Sequence, residues 1–329
     1  MVRSGRSAIE ASRLREFVLV TFLAAAMVAC AQTAQQGKTA PQKPAANTQK
    51  SGAAAAQKPA DDQAKAPPKP LIATSPDKTA LAYEVGGAGP ALILVQGAGE
   101  TRRSWQERGY ADRLRKQFTV ITFDRRGTGD SGKPMGVDAY ALDTVLADIL
   151  AVADAAGAKR FHIWGFGDGA TIVRYLAARS DRVISAVIVG ASMGPALTGI
   201  AKDAIAAMRA KWKPLIDANA AGKLDLTSLS PGDRAAWENG VAISALSLGA
   251  LLDFPPLEPA DIKAPTLWLI GIEDEAARAN IKEYEPKLKG TNVTLKPLNS
   301  LSYSDTFIKS EAVLAEVEPF LLKNKPTSD

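Results

Sequence analysis

Beyond residue 70 the chain is built on short, continuous apolar runs. Ala91–Val95 (ALILV), Thr119–Phe123 (TVITF), Val183–Val189 (VISAVIV) and Thr266–Ile270 (TLWLI) contain almost no polar residue. A strand with one wet face alternates apolar and polar residues. A strand covered on both faces reads as an unbroken apolar run. Between these runs lie segments with helical periodicity. Tyr140–Ala156 ends at Gly157, a helix stop, and Gly169–Arg179 and Ser310–Lys323 read as further helices. Phe161–Trp164 and Val293–Leu298 complete the strands, and Ser75–Thr79 is turn chemistry between two short strand-like runs. Strands alternating with helices predict an α/β fold with a mostly parallel central sheet flanked by helices. The rhythm breaks after Gly194. Residues 195–258, with Trp212 and Trp237, predict a helical cap insertion between two parts of one core, 71–194 and 259–329.

Ahead of this core the composition changes. Residues 31–70 contain no Ile, Leu, Val, Met, Phe, Tyr or Trp, and cannot bury enough apolar surface to offset their ordering entropy. They predict a disordered Ala/Gln/Pro/Lys tether over 30–70, reaching roughly 35 Å as a flexible coil. Residues 1–29 read as a signal peptide. Four arginines fall in the first 16 residues, and the apolar run Phe17–Ala29 follows. That run falls short of the ~20 residues of a spanning helix.

The single cysteine, Cys30, excludes an internal disulfide. Met27-Val28-Ala29-Cys30 resembles the lipobox of bacterial lipoproteins, with Met27 where leucine is usual. The resemblance implies lipidation at Cys30. It also implies a chain exported to the cell envelope and held at a membrane facing the periplasm. The outer membrane is favoured, because Ala31 is not the aspartate that retains many lipoproteins at the inner one.

The net charge of +5 is misleading. The first 16 residues hold four arginines and two glutamates, and 31–70 holds six lysines and two aspartates. Residues 71–329 then carry 30 basic and 31 acidic groups. A near-neutral domain without a basic cluster argues against a nucleic-acid partner.

Four segments, in order, carry a second resemblance. Leu94-Val95-Gln96-Gly97-Ala98-Gly99 sits where a strand is followed by His-Gly in the α/β-hydrolase family. Phe123-Asp124-Arg125-Arg126-Gly127-Thr128-Gly129-Asp130-Ser131 resembles that family's Asp-x-Arg-Gly-x-Gly-x-Ser turn. Trp164-Gly165-Phe166-Gly167-Asp168-Gly169 occupies its strand–elbow–helix position, and Pro265–Asp274 resembles the strand ending in the triad acid. The chain resembles the esterase and epoxide-hydrolase branch of the α/β-hydrolase fold over nearly all of 71–325.

The catalytic residues that the resemblance implies are not matched. The family elbow is Gly-x-Ser-x-Gly, and here the nucleophile position is Gly167, which has no side chain. Asp168 comes one position too late to replace it. A serine needs a base, and the family's histidine follows the last strand. The chain's one histidine, His162, lies at the start of the strand before the elbow and reads as a packing residue. The base position falls on Ser302, or on Tyr303 if the register slips by one. Neither is a base near neutral pH. Asp274 fits the acid position and reads as vestigial without a histidine to orient.

A second Gly-x-Ser-x-Gly, Gly190–Gly194, offers Ser192 as an alternative nucleophile, but its spacing from Asp124 fits the elbow poorly. The backbone N–H groups of Ala98 and Asp168 are in place for an oxyanion hole. Together with the Gln96 amide they form a candidate site for a small-molecule or lipid-derived ligand. No cofactor and no metal site is predicted. The leading expectation is a non-catalytic ligand-binding or interaction module. The alternatives are a hydrolase of ester-like small molecules with a rearranged site, and a structural protein whose pocket is filled by side chains.

Overall fold

The computed structural model describes residues 69–325. The signal peptide, Cys30 and nearly all of the tether lie outside the described residues.

Eight strands form one sheet. They are β1 (Leu71–Thr74), β2 (Ala80–Gly86), β3 (Ala91–Val95), β4 (Thr119–Phe123), β5 (Phe161–Phe166), β6 (Val183–Val189), β7 (Thr266–Gly271) and β8 (Val293–Leu298). Their order is β1-β2-β4-β3-β5-β6-β7-β8. The β1–β2 and β2–β4 pairs are antiparallel and all later pairs are parallel. The turn at Ser75–Thr79 joins the first hairpin, closed by Ser75 N–H to Thr79 O at 2.9 Å.

Helices cover both faces. In chain order they are α1 (Arg103–Glu107), α2 (Tyr110–Leu114), α3 (Leu142–Ala155), α4 (Asp168–Arg179), α5 (Gly199–Ala220), α6 (Pro231–Glu238), α7 (Val241–Ala250), α8 (Glu275–Tyr284), α9 (Asp305–Ile308) and α10 (Ser310–Lys323). The apolar runs of the inner strands are continuous because both of their faces are buried, whereas the edge strands β1 and β8 are largely open. Ile93 and Val95 pack toward α3 and α4, while Leu92 and Leu94 pack toward α2 and α10. Every residue of β5 and β7 is buried.

Between β6 and β7, α5 to α7 pack around Trp212, Ile216, Ala242, Ala245 and Leu246, and Tyr140 of the core joins that cluster. Trp212 and Trp237 lie with ring centroids 6.4 Å apart. α7 reaches the loop after β4, where Ser247 lies 3.4 Å from the Arg125 guanidinium and Ile243 lies beside Gly127.

A buried ionic knot holds the loop after β4. The Arg126 guanidinium donates to both oxygens of Asp148, at 2.6 Å each, and to Asp77 at 2.8 Å. Asp124, fully buried, accepts from the N–H groups of Arg102 (2.7 Å) and Asp130 (2.8 Å) and pairs with the Arg102 guanidinium. A Cβ at Gly129 would collide with the Asp124 carboxylate. Asp124 is therefore an anchor for the loop.

Candidate functional site

The carboxyl ends of β3, β4, β5, β7 and β8 converge, as is usual for sites on open α/β sheets. At their centre β5 turns sharply into α4. Gly167, at that turn, has φ 58° and ψ −125°, a strained conformation suited to glycine. Its flanks are as constrained. A Cβ on Gly165 would strike the backbone of Ala170, and one on Gly169 would strike the Gln96 carbonyl. The helix must press against the end of β3, and only glycine at both positions permits it. The elbow is formed completely, with no side chain at its apex.

The space above the apex is filled from another element. A Cβ built on Gly167 would fall inside the 3.0 Å that real Cβ atoms keep from other atoms, and the atom it meets is the Tyr303 hydroxyl oxygen. Tyr303 comes from the loop after β8. Its ring lies 5.2 Å from that of Phe166 and against Gly190, and Phe166 in turn stacks on Phe307 at 4.3 Å. Although 48% of the residue is exposed, its hydroxyl end is enclosed. Burial holds the phenol well above its usual pKa, and the charges of Asp168 and Glu100 push in the same direction. Tyr303 is a neutral group at any ordinary pH and cannot act as a base.

The expectation that Ser302 occupies the base position is corrected. Ser302 Oγ bonds Asp305 (Oδ2 at 3.1 Å, N–H at 3.2 Å) and starts the short helix α9. Tyr303 faces the elbow instead. The physical reason is local: the Ser302 side chain is taken up by Asp305 at the start of α9, and the ring of Tyr303 packs on Phe166 beside the elbow. Asp274, at the end of β7, precedes α8. Its Oδ2 accepts the Tyr303 N–H at 2.9 Å, so the carboxylate at the acid position holds the loop that carries Tyr303.

Asp168 opens α4. Its Oδ2 takes the Arg125 guanidinium at 2.6 Å, with both side chains about nine-tenths buried. Arg125 also donates to the Gln96 carbonyl at 2.9 Å and reaches Ser247 of the cap at 3.4 Å. Gln96 Nε2 lies 3.4 Å from Thr128 Oγ1. One guanidinium thus ties together the ends of β3 and β4, the elbow and the cap. Two buried acceptors, Gln96 Oε1 and Asp168 Oδ1, have no partner among the described residues. The N–H groups of Ala98 and Asp168 make no hydrogen bond to the described residues either. The motif pattern gave no hint of Arg125 or Ser247. Arg125 fills a variable position of its turn, and Ser247 comes from the unpatterned cap.

His162 and Ser192 are not at this centre. His162 is fully buried, with Nδ1 2.8 Å from Ser185 Oγ and its ring edge-on to Phe118. Burial pushes its pKa down to about 4, and Lys325 adds to the shift. Five extended residues separate it from Gly167, roughly 16 Å along the strand. Ser192 lies beyond β6 in the run leading to the cap. The next helix begins only at Gly199, so no tight strand-to-helix turn raises its hydroxyl. Its carbonyl accepts from Arg174 at 2.9 Å.

A cavity of about 10 Å³ lies behind the site between Arg125, Tyr140, Ile172 and Ser247. That is room for about one water molecule. A larger cleft of about 240 Å³ opens elsewhere, between the cap and α3.

Comparison with known proteins agrees with this architecture. A family model described as the alpha/beta hydrolase fold matches residues 90–230. Over 110 residues the chain is 36% identical to a protein of Azorhizobium caulinodans named as a carbamate hydrolase, RutD, covering 33% of this chain and 40% of that one. The chain spans less than half the length of the curated relatives it matches. Among solved structures, a malate-bound esterase from Thermogutta terrifontis superposes with a TM-score of 0.61 at 18% identity, covering 79% of this chain and all of that one. The bottromycin epimerase BotH, in complex with bottromycin A2, gives 0.57 at 21% identity, with 79% and 100% covered. The chain has the α/β-hydrolase fold.

Proposed function

We propose that this protein is a non-catalytic α/β-hydrolase-fold module that binds a small-molecule or lipid-derived ligand, or a partner, at the cell envelope. One observation carries the reading: the elbow is intact, its apex is Gly167, and the Tyr303 hydroxyl occupies the nucleophile's space. Acyl transfer needs a nucleophile and a base that removes its proton. The only imidazole is buried at the far end of β5. The unbonded N–H groups of Ala98 and Asp168, with Gln96 Oε1 and Asp168 Oδ1, become ligand contacts once the Tyr303 side chain moves off the elbow. The fold alone does not fix the activity, because function lies in the site built on it.

The direct test is hydrolysis of short- and medium-chain p-nitrophenyl esters, with intact-mass detection of acylated protein. The reading expects neither turnover nor adduct. An acyl adduct on any residue would overturn it.

A second reading, a hydrolase of ester-like small molecules with a rearranged site, draws on the unpartnered Asp168 Oδ1 beside the elbow. That buried oxygen is an acceptor a substrate hydroxyl or amide could use. This reading fails if an observed activity survives Asp168→Ala.

Attachment through a lipid on Cys30, facing the periplasm, belongs to the same proposal. It predicts that Cys30→Ser moves the protein from the membrane fraction to the soluble one. Unchanged membrane partitioning of the variant would count against the anchor.

A further inference from the structure

The 240 Å³ cleft lies between the cap and the core, and no elbow residue lines it. Its walls are mostly apolar: Val137 and Leu142 from the core side, Ile216 of α5, Leu246 of α7, and Phe254. Two cations of α5 sit in the lining, Arg209 and Lys213. The stem of Arg209 packs on Gly249, where a Cβ would come within 3.1 Å of it. Its Nη1 donates to the Gly249 carbonyl (3.1 Å) and to Asp253 (2.7 Å). Nε and Nη2 make no hydrogen bond to the described residues, which leaves one edge of the guanidinium fork open. Such an edge suits a bidentate carboxylate. Lys213 pairs with Asp217 at 2.6 Å, both half-exposed, a contact of small net value that rearranges readily. The acidic groups in the lining are Asp253, already neutralised by Arg209, and Asp138.

We propose that this cleft binds an amphipathic carboxylate, with its acyl chain between α3, α5 and α7 and its head group on Arg209 and Lys213. Size sets the class. An apolar cavity of about 150 Å³ accepts the six heavy atoms of benzene. At that scale 240 Å³ holds about ten heavy atoms, and octanoate has ten. The lining is too apolar for a bare inorganic anion and too small for a long-chain lipid. The inference does not depend on the elbow: a catalytic or a silent elbow leaves this cleft as it is.

Isothermal titration of the purified protein with octanoate, octanol and octyltrimethylammonium tests it. Saturable octanoate binding is expected, with the ammonium compound excluded and octanol weaker. Arg209→Gln is expected to weaken octanoate about five- to tenfold and leave octanol unchanged, the loss of a partly exposed charged hydrogen-bond pair. Ala141→Trp, at an exposed lining position, is expected to block both ligands. Because Ala141 lies outside the core, its thermal melt should match the parent's, which keeps the result interpretable. Equal binding of the carboxylate and the ammonium, or octanoate binding that survives both substitutions, would overturn the proposal. So would the absence of saturable binding to the folded protein.

Discussion

The hydroxyl of Tyr303 lies where the side chain of residue 167 would have to be, and residue 167 is a glycine. The two positions are 136 residues apart, yet each makes sense only with the other. A serine at 167 would collide with the phenol. A smaller residue at 303 would open the space above the elbow, and several consequences can be measured.

Residues 167 and 303 should be coupled in stability. Gly167→Ser places a side chain at φ 58° and against Tyr303. It is expected to cost about 1–3 kcal/mol, lowering the melting temperature by several degrees. Gly167→Ser with Tyr303→Ala should recover the steric part of that loss. Melts of the three variants check the coupling, and simple additivity of the two substitutions would refute it.

Asp274 is expected to act on loop position. Asp274→Ala removes the acceptor of the Tyr303 N–H. The bond is solvent-exposed, so the expected cost is about 1 kcal/mol. The aromatic resonances of Tyr303 should shift and broaden, while any ligand bound between α3 and α5 stays in place. Unchanged Tyr303 spectra would show that the bond does not hold the loop.

Acid stability should carry the signature of His162. Its native pKa, about 4, is below its ordinary 6.5. The unfolded chain therefore takes up a proton first as the pH falls. The contribution is fully present above pH 6.5 and is lost progressively between 6.5 and about 4. It amounts to about 3 kcal/mol at most, from the 1.36 kcal/mol per pKa unit. Urea unfolding from pH 7 to 4 should lose stability over this window, and His162→Gln should flatten the slope. An equal slope in both proteins would refute the assignment.

The knot at Arg126 should be among the most sensitive points of the core. Asp148→Ala leaves a buried guanidinium with only Asp77 as a charged partner. The expected loss is about 3–5 kcal/mol, read as a lower urea midpoint. A loss below ~1 kcal/mol would mean that water or Asp77 compensates fully.

How much of this was legible beforehand depends on the range of the interaction. The inner strands are near-continuous apolar runs because each is buried on both faces, a local consequence of a global fact. Ala91–Val95 and Thr266–Ile270 therefore announce the sheet by composition alone. Gly165, Gly167 and Gly169 announce the elbow, because backbone approach at a tight turn leaves no choice of residue. The short helices α1 and α2 were not legible. At five residues each they are too brief for helical periodicity to register.

Composition and motif spacing were enough for the fold class, the place of the elbow, and the fact that its apex bears no side chain. They also placed the lone histidine too early in the chain to serve as a base. What fills the elbow depends on how distant segments pack in three dimensions. Tyr303 rather than Ser302 faces the elbow, the Asp274 carboxylate holds that loop by the Tyr303 N–H, and Arg125 joins the strand ends to a cap serine. Those contacts link residues far apart in the chain. Periodicity and motif spacing record which face a residue lies on, but they do not record which distant group comes to meet it.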